Sequence, residues 1–122
     1  MVMAAHSRVV VREAEVPDLD RVVEVLLAAN AEFEELLPPA FYRAYLANVV
    51  DVRSRLAESQ LLLAEREERI VAAITLYPDA TAEGWGWPRH WTGIRAVGVE
   101  PSARGLGIGR RLAEACVRRS RC

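Results

Sequence analysis

Lysine is absent from this chain: all 16 basic residues are arginine. A Walker-type phosphate loop needs a lysine after its last glycine, so that class of nucleotide site is excluded. Cysteine and histidine are scarce, at two each. Cys116 and Cys122 fall within one helix or its end and on different faces, which argues against an intrachain bridge. No C-x-x-C or Cys/His spacing suits a metal ion, and His6 and His90 stand apart, so no metal is expected. A charge excess is missing too. The 16 basic and 17 acidic residues leave a formal net charge of −1, which gives no global electrostatic case for nucleic acid or a membrane surface. No apolar run approaches the roughly 20 residues that span a bilayer, and the N-terminus has no secretory apolar segment. A cytoplasmic location is the expectation.

What is present describes an ordinary globular protein: 122 residues, 52% hydrophobic and 27% charged. That length predicts a single domain over residues 1–122, able to bury about two-thirds of its unfolded surface. Val9-Val-Val-Arg-Glu13 is β-branched and short, and reads as a strand. Pro17 suits a first helical position, and Leu19, Val22, Val23, Leu26 and Ala29 recur at helical spacing, predicting a helix over 17–29. Pro38-Pro39 opens a second helix with Phe41, Tyr45, Val49, Val52 and Leu56 as its buried face. Gln60 to Glu65 and Ile70 to Tyr77 are apolar strands joined across Arg66-Glu-Glu-Arg69, a predicted hairpin. A loop over 79–90 leads to a strand over 92–100, and a last helix runs from about Gly107. The order β-α-α-β-β-β-α predicts an α+β fold, a sheet with helices packed on its faces.

The most informative stretch joins the last strand to the last helix. Ile94 to Pro101 is followed by Arg104-Gly-Leu-Gly-Ile-Gly109 and then by Arg110-Arg-Leu-Ala-Glu-Ala-Cys-Val117. Glycines at 105, 107 and 109 let the backbone bend and let a ligand approach the main chain. The following helix offers unpaired N–H groups and roughly half a positive charge at its start, which favours an anion such as a pyrophosphate. The dinucleotide fingerprint G-x-G-x-x-G does not fit. The spacing here is G-x-G-x-G, late in the chain, with too little sequence after it for a second βαβ half.

A third pattern fits residue for residue: Arg/Gln-x-x-Gly-x-Gly/Ala directly after a Val-x-Pro strand end, here Val99-Glu-Pro101 and Arg104 to Gly109. In this the sequence resembles the GNAT superfamily of acetyl-CoA-dependent N-acyltransferases, over Val9 to Arg121. The resemblance implies a mixed, mostly antiparallel sheet with helices on both faces, and acetyl transfer from acetyl-CoA to a primary amine of a small molecule or protein. It implies that Arg104, Gly105, Leu106, Gly107, Ile108, Gly109 and Arg110 wrap the pyrophosphate, chiefly through main-chain N–H groups, with Arg110 and Arg111 near a ribose phosphate. It implies that Val97, Gly98 and Val99 pair with the pantetheine arm as a further strand would, and that an N–H there stabilises the oxyanion.

A lysine-like acceptor has a pKa near 10.4, so presenting it neutral at pH 7 costs about 4.6 kcal/mol. A general base would relieve this. Family members often place a glutamate at the start of the fourth strand; this chain has Trp91, Thr92 and Gly93 there, so no catalytic residue is assigned. Glu100 lies at the other end and is expected on the surface. His90 is a candidate base. Glu32, Glu34 and Glu35 either attract a cationic amine or form a solvated turn, and Trp85, Trp87 and Trp91 either wall an acceptor pocket or cap the core edge. The family's fold continues beyond a third helix, so the resemblance implies a fold truncated there, with the fourth strand as an open apolar edge. Three alternatives follow: a fragment of a longer enzyme, a sheet completed by homodimerisation or by another chain, or a catalytically inactive CoA-binding or interaction module.

Overall fold

The computed structural model describes residues 8–83, 86, 88 and 91–120. The expectations for His6, Trp85, Trp87, His90 and Cys122 lie outside them. Strand β1 (Val9–Glu13) leads through a short 3-10 turn into helix α1 (Leu19–Asn30). Helices α2 (Pro39–Val49) and α3 (Val52–Arg55) precede strands β2 (Gln60–Arg66), β3 (Arg69–Tyr77) and β4 (Gly93–Val99), and helix α4 (Ile108–Ser120) follows. The sheet order is β1-β2-β3-β4, with every neighbouring pair antiparallel. No described helix is long and apolar enough to cross a membrane.

Strands β2 and β3 are apolar on both faces because helices cover both. Leu61, Leu63 and Ala73 pack with Leu19, Val22, Val25 and Leu26 of α1. Their alternates Leu62, Ala64, Ala72 and Ile74 pack with Ile108, Leu112, Ala115 and Cys116 of α4. The period-2 alternation of a strand thus divides one apolar run between two cores. The stripe Ile108, Leu112, Cys116 is buried as its helical spacing predicts.

The start of α1 is pinned by charge. Arg12 of β1 donates to both carboxylate oxygens of Asp18, at 2.8 and 2.9 Å, and through Nε to Glu65 at 2.7 Å. Asp18 also accepts the Glu15 N–H at 2.7 Å. These bonds, Arg12 first, hold the Asp18 carboxyl down at about 2.

The second helix departs from expectation. It ends at Val49, and Asp51, with φ −81° and ψ 63°, leaves helical space before the short α3. The short carboxylate of Asp51 accepts the Ser54 hydroxyl at 2.6 Å, a local bond that competes with helix continuation. The buried face also differs at its start. Tyr42, Val49 and Val52 are buried, whereas Phe41 and Tyr45 are 61% and 40% exposed. Asn30 at the end of α1 engages both tyrosines: its carbonyl accepts the Tyr42 hydroxyl at 3.4 Å and its side-chain oxygen accepts that of Tyr45 at 3.1 Å.

The β2–β3 hairpin closes as predicted, through Glu67 and Glu68, and both have positive φ, 56° and 64°. Two left-handed central residues are the mark of a type I′ turn, which suits the sheet twist and normally takes Asn and Gly. A non-glycine residue in that region costs roughly 1–2 kcal/mol. Glu68→Gly is therefore expected to raise the unfolding free energy by about 1 kcal/mol and the Tm by about 4 °C. Thermal melting checks it, and an unchanged or lower Tm contradicts it.

Candidate functional site

The junction between β4 and α4 is built from a buried carboxylate outward. The Glu100 N–H donates to the Val71 carbonyl at 2.9 Å, the last link of β4 to β3. Glu100 is 6% exposed rather than on the surface. It accepts from Arg21 of α1 at 2.8 Å, from Arg69 of β3 at 3.4 Å and from the Ser102 hydroxyl at 3.0 Å. Burial pushes its carboxyl up, but Ser102, Arg21 and Arg69 outweigh this and hold it below its ordinary value. The expectation failed because both arginine partners are distant in sequence.

From Glu100 a 3-10 turn over Pro101–Ala103 buries Ala103 and returns the Arg104 N–H to the Pro101 carbonyl at 3.3 Å. Gly105 and Gly107 then take φ +83° and +74°. A Cβ at either would meet nothing within 4 Å, so backbone conformation and not space requires glycine there. The Arg111 N–H reaches the Gly107 carbonyl at 3.1 Å, but the N–H groups of Gly105 through Arg110 have no acceptor among the described residues. These are the orphan donors of a helix start together with those of the turn before it. Leu106 is exposed, while Ile108 anchors the turn in the core.

Arg104 has a different place from its glycines. Its guanidinium donates to the Ala29 carbonyl at the end of α1 at 2.8 Å and to the Val99 carbonyl at 3.3 Å, and pairs with Glu32 at 2.8 Å. It fastens the turn to α1 rather than pointing into open space. Glu32, one of three carboxylates in that acidic turn, is thereby neutralised. Arg110 is exposed and pairs loosely with Glu114 at 3.5 Å.

Strand β4 lies at the sheet edge among the described residues. Arg95 pairs with Thr75 and Gly98 with Ala73, so Ala96 and Val97 together oppose Ile74. This is a β-bulge, with Ala96 at φ 53°, and it bends the strand. Since the Glu100 N–H faces β3, alternation turns the polar groups of Val99 to the open side. Val97 is exposed at 51%, but Gly98 is buried. A Cβ on Gly98 would come 2.9 Å from Leu26 Cδ2 and 3.2 Å from Ala29 Cβ. The glycine therefore exists so that α1 can lie on β4, not to clear a path on the open edge.

Residues 23–122 match the model of the acetyltransferase (GNAT) family. A GNAT family acetyltransferase from Brucella melitensis, solved with acetyl-CoA, superposes with TM-score 0.70 at 22% identity, over 95% of this chain and 70% of that one. The PaiA N-acetyltransferase of Thermoplasma acidophilum, solved with coenzyme A, gives TM-score 0.71 at 13% identity, over 93% and 72%. A GCN5-related N-acetyltransferase from Ralstonia eutropha JMP134 gives 0.63 at 22% identity, over 92% and 75%. Identities this low establish the shared fold. Among curated proteins, none matches the sequence.

Two outcomes follow from the packing. Gly98→Ala forces Leu26 off its seat and is expected to lower stability by about 1–3 kcal/mol, read by urea denaturation; a neutral result removes the close-approach argument. Asp18 and Glu100 both sit below their ordinary values. Their stabilisation is therefore complete above the usual carboxylate range near pH 4 and drains as pH falls through the lower folded values. Glu100→Gln should lose about 1–3 kcal/mol at pH 7 and lose less stability than the parent between pH 4 and 2. An acid limb identical to the parent's contradicts the assignment.

Proposed function

Because the chain belongs to the GNAT acetyltransferase family, we propose that it transfers an acetyl group from acetyl-CoA to a primary amine, in the cytoplasm. The observation that carries this is the run of unpaired amides from Gly105 to Arg110, set at the start of α4 and just past the open edge of β4. A diphosphate suits them. Each hydrogen bond to a charged oxygen contributes roughly 1.5–3 kcal/mol, and the helix dipole adds to it. Arg104 serves indirectly, by holding the turn against α1. Arg110, being exposed, is free to swing toward a phosphate.

With the diphosphate at that turn, the pantetheine arm runs back along β4 past Val99, Gly98 and Val97 toward Gly93. It meets the strand's edge, since the face of Gly98 is closed by Leu26 and Ala29. The amine nitrogen attacks the thioester carbonyl, a C–N bond forms, and the C–S bond breaks. The ammonium gives up a proton and the thiolate takes one. A backbone N–H on the open edge of β4 would stabilise the oxyanion between these events, ordinarily a large contribution to such reactions. Glu100 is not the base, because its charge is committed to Arg21 and Arg69.

The exposed Ile94 and Val97 on the β4 edge also favour completion of the sheet by a strand from a second copy or another chain, and with it a non-catalytic interaction role. A tight complex without acetyl transfer over an amine panel would select that second reading.

CoA is expected to raise the Tm of the parent protein by several degrees at a concentration well above its Kd. Gly107→Asp should abolish the shift, since it places a carboxylate beside the diphosphate and strains a left-handed position. Equal shifts in both proteins would defeat the proposal.

A further inference from the structure

The far end of β4 carries a cationic group that no described carboxylate pairs with. Arg95 donates through Nη2 to the Asn48 side-chain oxygen on α2 at 2.7 Å, and among the described residues no carboxylate pairs with it. A guanidinium has five N–H donors in a planar fork, and the other donors of Arg95 have no acceptor there.

A second arginine stands beside it. Arg55 donates to the main-chain carbonyls of Asn48 at 2.5 Å and Val49 at 2.9 Å, which close the C-terminus of α2. Its Nε is buried with no partner. The two guanidinium groups therefore bracket Asn48, one on its carbonyl and one on its side chain. Burial first, and then the neighbouring Arg95, lowers the Arg55 pKa, while Tyr77 and Asp51 oppose the change. Asp51 offsets part of the Arg55 charge, but its carboxylate takes the Ser54 hydroxyl at 2.6 Å and among the described residues it forms no ion pair with either guanidinium. Two like charges so close are costly unless something anionic joins them.

The position of this pair is what gives it meaning. Arg95 pairs with Thr75 on the side of the sheet that carries α1 and α2. It precedes Gly98 by three positions, about 10 Å of extended chain. The diphosphate turn lies beyond the other end of the strand, so Arg95 is too remote to serve it. On the acetyl-transfer reading, on which this inference rests, the thioester ends near the β4 bulge and the acceptor enters from the start of β4.

We propose that Arg95, supported by Arg55, binds the carboxylate of the acceptor, so that the substrate is an amine bearing a carboxylate, of the amino-acid class, rather than a simple cationic amine. A carboxylate fits the planar fork through two parallel hydrogen bonds. It also places the amine, a few ångströms away on the same molecule, toward the bulge.

The test pairs each of several amino acids with its decarboxylated amine, leucine with 3-methylbutylamine and phenylalanine with phenethylamine. The parent protein should show at least tenfold higher kcat/KM for the amino acid. Arg95→Gln should lose ten- to hundredfold on the amino acid and little on the amine, with partial recovery in Arg95→Lys. Calorimetric titration of leucine into the CoA-loaded protein reads the same discrimination without turnover. Equal kcat/KM within each pair, equal losses on both members, or leucine binding unaffected by Arg95→Gln overturns the inference. CoA titration of Arg95→Gln separates the two readings. If CoA binds normally and discrimination is absent, only the acceptor class falls; if CoA binds neither protein, the acetyl-transfer reading falls with it.

Discussion

Glu100 sits where β4 leaves the sheet, and Arg21 from α1 and Arg69 from β3 converge on it. A buried carboxylate is tolerable only when paired and hydrogen-bonded, and here the pairing joins three elements at one point. It fixes the direction in which the chain departs, and the Pro101–Ala103 turn and the Arg104 clamp carry that direction forward. The glycine turn is thus held from behind, by Glu100, and from the side, by Ala29 and Glu32 through Arg104. Among the described residues its amides have no acceptor, as at any helix start.

The strand before this turn links two chemically different ends. At its C-terminal end stand main-chain donors with no acceptor, suited to a diphosphate. At its N-terminal end stand two guanidinium groups around Asn48, suited to a carboxylate. Between them the bulge at Ala96 and Val97 bends the strand, and Gly98 lets α1 press against it. An arm lying along the edge would carry a reactive group from one end toward the other. On the proposed reading an open strand edge with anion-suited donors at both ends would serve without a large cavity.

The sequence made the scaffold legible where the signal was local. Val9–Glu13, the α1 stripe, the β2–β3 hairpin and the turn from Arg104 to Gly109 all declare themselves within a few residues. The match to the GNAT family over 23–122 agrees with what that turn suggested. Where partners are distant in sequence, the sequence misled. Glu100 looked like a surface residue because Arg21 and Arg69 lie far from it along the chain. In α2 the spacing found Val49 and Val52 but not Tyr42, which is buried in place of Phe41 and Tyr45. The approach of Leu26 and Ala29 to Gly98 likewise has no local signal in the sequence. The Arg55–Asn48–Arg95 group left no local pattern at all, since it forms only when α2 and β4 meet.

The central claim is that the amides from Gly105 to Arg110 grip the diphosphate of coenzyme A. Its most direct test is a titration of isotope-labelled protein with CoA, followed by the backbone amide resonances. The account predicts that the largest shifts, with downfield movement of hydrogen-bonded protons, cluster at Gly105–Arg110, with a second group along Val97–Val99. Shifts that saturate elsewhere while these amides stay still, or no shift at millimolar CoA, would contradict it.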